Sequence, residues 1–224
     1  MIPDTSLNIW EHSKALRELC QRRALDLEPE MDCASQAAEI ICSLSLKDSS
    51  RILDVGCAAG HFIHSLKKRG NFSYYGLDYS PSFIKIGKKA YTQLGLDPQR
   101  LILESIDDIK GLKADLVLFM NVLSFNPDFR RPIYRAMETG ANTILIRDNF
   151  GEKTIVRWEL DGHLDEGANH LMGYWNEWSR QDMRSYLQDL GYAKVDFIED
   201  IRTGGSIELV VGKPYHWAYV MARK

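Results

Sequence analysis

Residues 52–60 read Ile52-Leu53-Asp54-Val55-Gly56-Cys57-Ala58-Ala59-Gly60, and this stretch decides the fold. An apolar pair runs into Asp54, a glycine-bounded bend follows, and a helical pattern opens near His61. That order describes a buried strand that reaches the edge of a sheet and turns sharply into a helix. Gly56, Ala58, Ala59 and Gly60 carry little or no side chain, so a ligand can approach the backbone closely there. The spacing departs from Gly-x-Gly-x-x-Gly, because Gly56 is followed by Cys57, Ala58 and Ala59 before Gly60, and a nicotinamide site is disfavoured.

Outward from this bend the chain alternates. Strands are expected at 51–55, 72–77, 101–103, 115–120, from 143–146 to an end at Asp148 and Asn149, at 192–198 and at 216–221. Helical patterns fall at 6–24 and 32–46, after His61 as far as Gly70, from Ser80-Pro81 to Gly95, around 133–137, and from Ser179 to Gly191. Strand–helix alternation with short connections implies an α/β fold: a doubly wound, mostly parallel seven-stranded sheet with helices on both faces. No helical segment separates the last two strands, so they are expected to form a C-terminal antiparallel hairpin. Residues 1–50 are expected to be helices covering the site, and 51–224 the main domain, with an insertion at about 149–178 that is long for an ordinary connection.

The 224 residues suffice for one substantial core, and a net charge of −3 offers no general attraction to phosphate backbones or acidic membranes. Short basic clusters such as Lys67-Lys68-Arg69 read as solvated helix faces. Cys20, Cys33, Cys42 and Cys57 form no Cys-x-x-Cys pair and read as small thiols in a reducing compartment. With no signal pattern and no long apolar run, a cytoplasmic location without a membrane partner is expected.

The second strand ends in Gly76-Leu77-Asp78-Tyr79-Ser80. A carboxylate about 20 positions beyond the glycine bend is placed to accept hydrogen bonds from ribose hydroxyls. A carboxylate at a helix N-terminus is also favoured by the helix dipole, and the two readings are compatible.

The bend, the acidic end of strand two and the hairpin ending together resemble the class I (Rossmann-like) S-adenosyl-L-methionine (SAM)-dependent methyltransferases over residues 32–224, most strongly over 51–123. The resemblance implies SAM as cofactor and S-adenosyl-L-homocysteine (SAH) as product. It places Gly56, Cys57, Ala58 and Gly60 against the methionine part, with Asp54 orienting the loop and meeting the amino group. Asp78 and Tyr79 fall at the ribose, Ser105 and Ile106 at the adenine, and Asn121 and Val122 beside the sulfonium. Asp148, Asn149, Trp158, Tyr174 and Trp175 are the expected acceptor-pocket residues, with His163 or His170 as general base. No metal is assigned, although Asp148, Asn149 and Asn121 stand where metal-dependent catechol-type relatives hold magnesium. Asn121-Val122-Leu123-Ser124 replaces the Asp/Asn-Pro-Pro-Tyr of enzymes that methylate exocyclic base amines, which tilts the acceptor toward a small molecule, at oxygen. A nucleic-acid or protein methyltransferase and a non-catalytic partner subunit of the same fold are the alternatives.

Overall fold

The computed structural model describes residues 9–109, 111–160, 165, 169–210 and 212–224. Its helices are α1 (Ile9–His12), α2 (Lys14–Ala24), α3 (Asp32–Ser43), α4 (Phe62–Lys67), α5 (Pro81–Gln93), α6 (Arg130–Glu138) and α7 (Arg180–Asp189). The seven strands of the main sheet are β1 (Arg51–Val55), β2 (Ser73–Asp78), β3 (Leu101–Leu103), β4 (Leu116–Met120), β5 (Thr143–Gly151), β9 (Lys194–Glu199) and β12 (Trp217–Arg223). Between the last strands of that series lie β6 (Trp158–Leu160), β7 (Met172–Tyr174), β8 (Trp178–Ser179), β10 (Glu208–Val210) and β11 (Lys213–Tyr215).

The main sheet runs in the order β3-β2-β1-β4-β5-β12-β9, and the two-residue β8 pairs with the end of β5. Pairing is parallel from β3 to β5: Leu53 faces Tyr75 on one side and Val117 on the other. β12 alone runs the other way, with Val220 opposite Ile146 on β5 and Phe197 on β9. The chain leaves β1 toward β2 and β3 and returns on the other side as β4, so the strand order reverses between β1 and β4. That is where an open α/β sheet receives ligands, beyond the carboxyl ends of its strands.

The alternation of side chains along each strand builds two cores. Leu53, Val55, Val117, Phe119 and Ile146 pack on one face with Phe129, Ile133, Trp178, Met183 and Leu187. Ile52, Leu116, Leu118, Leu145 and Tyr219 pack on the other with Ile41, Phe62 and Tyr91.

Two expectations need correction. The single helix over 6–24 is broken at Ser13, whose hydroxyl accepts from Leu16 N and starts α2 afresh. β5 carries Asp148 and Asn149 near its end as expected and runs on to Gly151, with Arg147, Asp148 and Asn149 each buried with partners. Between β9 and β12 a small extra hairpin, β10–β11, stands apart from the main sheet.

Ser80 precedes the start of α5 as its sequence announces, but its own side chain makes no capping bond. Glu11, on α1, supplies the cap: its carboxylate accepts from Ser82 N at 3.1 and 3.3 Å and bonds the Ser80 hydroxyl. An acceptor from one helix thus satisfies the exposed donors of another. Glu11→Ala is expected to cost about 1 kcal/mol, read as a fall of about 3 °C in thermal midpoint; an unchanged midpoint would show that the clamp contributes nothing.

Candidate functional site

At the switch between β1 and β4 the backbone makes three left-handed steps: Gly56 at φ 74°, Ala58 at 50° and Gly60 at 75°. Glycine is required at the first and last. A Cβ on Gly56 would stand 2.5 Å from Val122 Cγ2, and one on Gly60 would stand 2.5 Å from Leu101 Cδ2. The loop is tied down throughout. Gly56 N and Cys57 N both donate to Leu77 O, and Tyr91 Oη donates to Gly60 O at 2.7 Å.

Asp78 closes the arrangement. One carboxylate oxygen accepts from Ala58 N at 2.8 Å and holds this non-glycine residue in its left-handed turn; the other accepts from Ser80 N at 2.8 Å. Asp54, at the end of β1, accepts from the Tyr74 hydroxyl at 2.7 Å. Both carboxylates are buried.

These groups line one end of a cavity of about 550 Å³. Trp10, Leu16, Cys20 and Arg23 of α1 and α2 roof it, and Gly56, Ala58, His61, Asp78, Tyr79 and Val122 form the floor. At the other end stand Phe125, Trp175, Tyr215 and Trp217. Trp10 meets Phe125 edge-on at 4.8 Å between centroids, Phe125 meets Trp175 at 5.1 Å, and Tyr215 lies 4.6 Å from Trp217. One half of the cavity is polar and backbone-lined and the other aromatic.

Behind the aromatic half lies Arg147. Its guanidinium pairs with Asp200 at 2.7 Å, bonds Asn121 Oδ1, and sits 4.2 Å from the Trp217 ring centroid. Asn121 also takes a left-handed turn, φ 57°, with its N–H on Arg147 O. The end of β4 is therefore fixed by side chains of β5.

Burial sets the protonation of the acidic groups. It pushes Asp54 up to about 7 against the pull of the Tyr74 hydroxyl, and Asp78 up to about 6 against the N–H groups of Ser80 and Ala58. A carboxyl raised in the folded state holds a proton that the unfolded chain has released, so stability falls as pH rises through that window. For Asp54 the loss between pH 6 and pH 8 amounts to about 1 kcal/mol, or about 2–4 °C in midpoint. Asp54→Asn is expected to flatten that decline; a melting curve that is equally pH-dependent in the variant would refute the assignment.

A family model described as "Methyltransferase domain" matches residues 46–194, two-thirds of the chain and all the strands around the bend. The chain belongs to the class I SAM-dependent methyltransferase family. A curated relative, the carboxy-S-adenosyl-L-methionine synthase of Campylobacter hominis, is 31% identical over 101 residues, 43% of this chain and 39% of that protein. The match thus spans well under half of the relative's length. Among solved structures, the N-terminal domain of EvdMO1 with SAH bound superposes with a TM-score of 0.63 at 16% identity, covering 95% of this chain and 98% of that one. Magnesium protoporphyrin IX methyltransferase from Synechocystis PCC 6803 with bound SAM gives 0.61 at 15% identity over 98% and 96%. At these identities the superpositions speak for the fold.

In this methyltransferase the residues expected at the cofactor fall into two groups. Asp54, Gly56, Cys57, Ala58, Asp78, Tyr79, Asn121 and Val122 all line the one cavity, and Gly60 shapes its loop. Ser105 and Ile106 lie outside the wall: the Ser105 hydroxyl accepts from Asp107 N, and Ile106 packs against the core.

The acceptor residues need more correction. Trp175 lines the cavity. Asp148 and Asn149 do not: both are fully buried in β5. The two oxygens of Asp148 accept from Leu123, Ser124 and Asn149 N–H groups, and Asn149 spans from Asn176 O to His216 N. Their polar atoms brace the end of β4 and the segment after β5. Trp158 and Tyr174 pair with each other at 4.5 Å on the β6–β7 hairpin, where Trp158 is exposed. His170 sits exposed on the turn before β7, away from the cavity wall, and His163 lies outside the described residues.

Missing from the sequence-based set are Trp10, Arg23, His61, Phe125, Tyr215 and Trp217. The phase of β7 holds a signal for the wall. Successive residues alternate faces, and with Trp158 and Tyr174 paired on one side, Trp175 falls to the other. Among the described residues, no helix is long and apolar enough to cross a membrane.

Proposed function

We propose that this chain moves the methyl group of SAM to a small-molecule acceptor, at oxygen, within the cavity between the glycine bend and the aromatic wall. One observation carries the reading: Asp78 and the Gly56–Gly60 loop meet at the strand switch, and Gly56, Ala58 and Asp78 line the cavity there. Those features suit the donor. Each carboxylate oxygen of Asp78 spends one acceptor position on a backbone N–H and keeps capacity for ribose hydroxyls. Gly56, Cys57 and Ala58 bring the loop to the cavity wall for the methionine part, and Asp54 offers an acceptor for its amino group.

When bound, SAM supplies an already activated methyl on a positively charged sulfur, so the protein's share is alignment and exclusion of water. Val122 and the braced Asn121 present a rigid edge beside the bend, and the five aromatic rings form an apolar wall next to it. An aromatic wall on a cavity of this size and a net negative chain support a small molecule over a nucleic acid. EvdMO1, whose fold this chain shares, was crystallised with SAH and D-fucose, an acceptor-sized ligand.

Titration calorimetry with SAM, SAH and NAD tests the donor, and a screen of metabolite pools with radiolabelled SAM tests the transfer. Heat with SAM and SAH but not NAD, and label recovered in a small molecule as an alkali-stable methyl ether or a labile ester, are the expected results. Label in RNA or protein instead would overturn the acceptor class, and no heat with SAM or SAH would overturn the donor.

A further inference from the structure

At the end of the sheet opposite the glycine bend, where β2 and β3 begin, a second cleft of about 580 Å³ opens between α4 and the segment joining α5 to β3. An α/β sheet takes its cofactor beyond the carboxyl ends of the strands. This cleft lies at their amino ends and shares no lining residue with the cavity described above.

Ile63, Leu66, Phe72, Tyr74 and Leu96 give the cleft an apolar and aromatic lining, and a space of this size admits a small organic molecule. Lys67 and Arg100 bring two cations to it, against the single carboxylate of Asp97. That carboxylate is already engaged: Oδ1 accepts from Gln99 N at 2.9 Å, and Oδ2 stands 3.9 Å from Arg100 Nε, beyond hydrogen-bond reach. The Arg100 guanidinium lies 5.6 Å from the Tyr75 ring centroid and makes no hydrogen bond among the described residues. Lys67 is exposed and has no ion pair among them, and the Asn71 amide on the same wall has no partner there. Apolar walls beside two under-used cations suit a molecule that is flat and apolar along its body and anionic at one end.

Tyr74 joins this cleft to the first cavity. It lines the cleft, while its hydroxyl donates at 2.7 Å to Asp54, which lines the cavity at the bend. α4 makes a second connection. It begins at Phe62, which lines the first cavity and stands 6.4 Å from the Tyr74 ring, and it ends at Lys67 in the cleft.

We propose that the cleft is a second ligand site, taking a small aromatic carboxylate, and that Tyr74 links its occupancy to the donor cavity. The carboxylate would meet the Arg100 guanidinium and the Lys67 ammonium, and the ring would pack on Phe72, Tyr74 and Leu96. A body packed on Tyr74 restrains the ring whose hydroxyl holds Asp54, so each ligand finds part of the ordering already done by the other. The linkage, unlike the site, rests on the proposed use of SAM.

The probe is 2-naphthoate, titrated by calorimetry and by amide nuclear magnetic resonance, with 2-naphthylmethanol as its neutral counterpart. Naphthoate is expected to shift the amide signals of Lys67, Asn71 and Gly95 and to bind about tenfold more tightly than the alcohol. Lys67→Glu and Arg100→Met are each expected to erase most of that ratio, which is taken within each variant so that a change in folding stability does not mimic the effect. SAH and naphthoate are expected to tighten each other by the same factor, about fivefold. Tyr74→Phe keeps the ring and is expected to keep naphthoate binding while removing the coupling. No naphthoate binding, or shifts confined to the surroundings of Trp175 and Trp217, would overturn the site. Equal affinity for the acid and the alcohol would overturn the ligand class. Naphthoate and SAH that both bind, each indifferent to the other, would overturn the linkage through Tyr74. Failure of SAH to bind at all would overturn the donor reading instead, and the naphthoate shifts would still decide the site.

Discussion

Asp78→Asn is expected to weaken SAM binding by at least about a hundredfold, the largest single loss in this site. The carboxylate already accepts from Ala58 N and Ser80 N, each at 2.8 Å, and retains acceptor positions for two ribose hydroxyls. An amide replaces one oxygen with a donor, which then faces either the Ala58 or the Ser80 N–H and repels it. Lost with the charge are two strong hydrogen bonds, worth about 1.5–3 kcal/mol each, so the estimate is a lower bound. The same group predicts a pH profile. With the Asp78 carboxyl raised to about 6, donor affinity falls as the solution is acidified through that value. Calorimetry from pH 8 to pH 5 measures both effects, and an affinity indifferent to both substitution and pH would remove Asp78 from the ribose.

Gly56→Ala carries the second large effect, and a partner substitution separates its causes. The new methyl would stand 2.5 Å from Val122 Cγ2 and 3.1 Å from Cγ1, and the backbone remains at φ 74°. The collision costs about 1–3 kcal/mol and the left-handed conformation about 1–2 kcal/mol. Together they predict a destabilisation of about 3 kcal/mol and loss of methyl transfer, since the loop cannot move without dragging the end of β4. Val122→Ala removes the collision and not the backbone cost. The double variant is therefore expected to recover roughly half the lost stability, measured by urea unfolding, and only part of the SAM affinity. Full recovery would show that the turn itself is indifferent to a side chain; no recovery would show that Val122 is not the obstacle.

How much of this site the sequence discloses depends on how local each part is. The bend, Asp54 and Asp78 announce themselves because their chemistry is written in consecutive residues: a strand cannot turn within Gly56–Gly60 without small side chains, and Asp78 ends its own strand. The sheet is similarly readable, since its central strands carry short apolar runs such as Leu116–Met120 and Ile144–Ile146. Asp148 and Asn149 were readable as the end of β5, but their burial and partners were not. Only the packed structure shows Leu123, Ser124 and His216 waiting for them.

The aromatic wall was legible only in part. Trp158, Tyr174 and Trp175 share one segment, but in strands of three residues nothing in composition says which ring faces inward. The structure turns Trp175 into the cavity and leaves Trp158 and Tyr174 against each other outside it. Trp10, Phe125 and the pair Tyr215 and Trp217 come from three separate places along the chain and have no shared pattern. Arg23 and His61 escaped notice for the same reason: one lies in a helix with other arginines, the other looks like the residue that merely follows a glycine.

The roof over the cavity also constrains how the molecule is made. Trp10 rests on Phe125, Glu11 caps the helix that starts at Pro81, and Asp165 accepts from Lys14 and Ala15 N–H. α1 and α2 thus settle only against segments made after them: Ser82 at the start of α5 for Glu11, Phe125 for Trp10 and Asp165 for the first turn of α2. Long loops must close before those contacts form. The binding chamber is therefore sealed by helices that dock from a distance onto a sheet laid down after them.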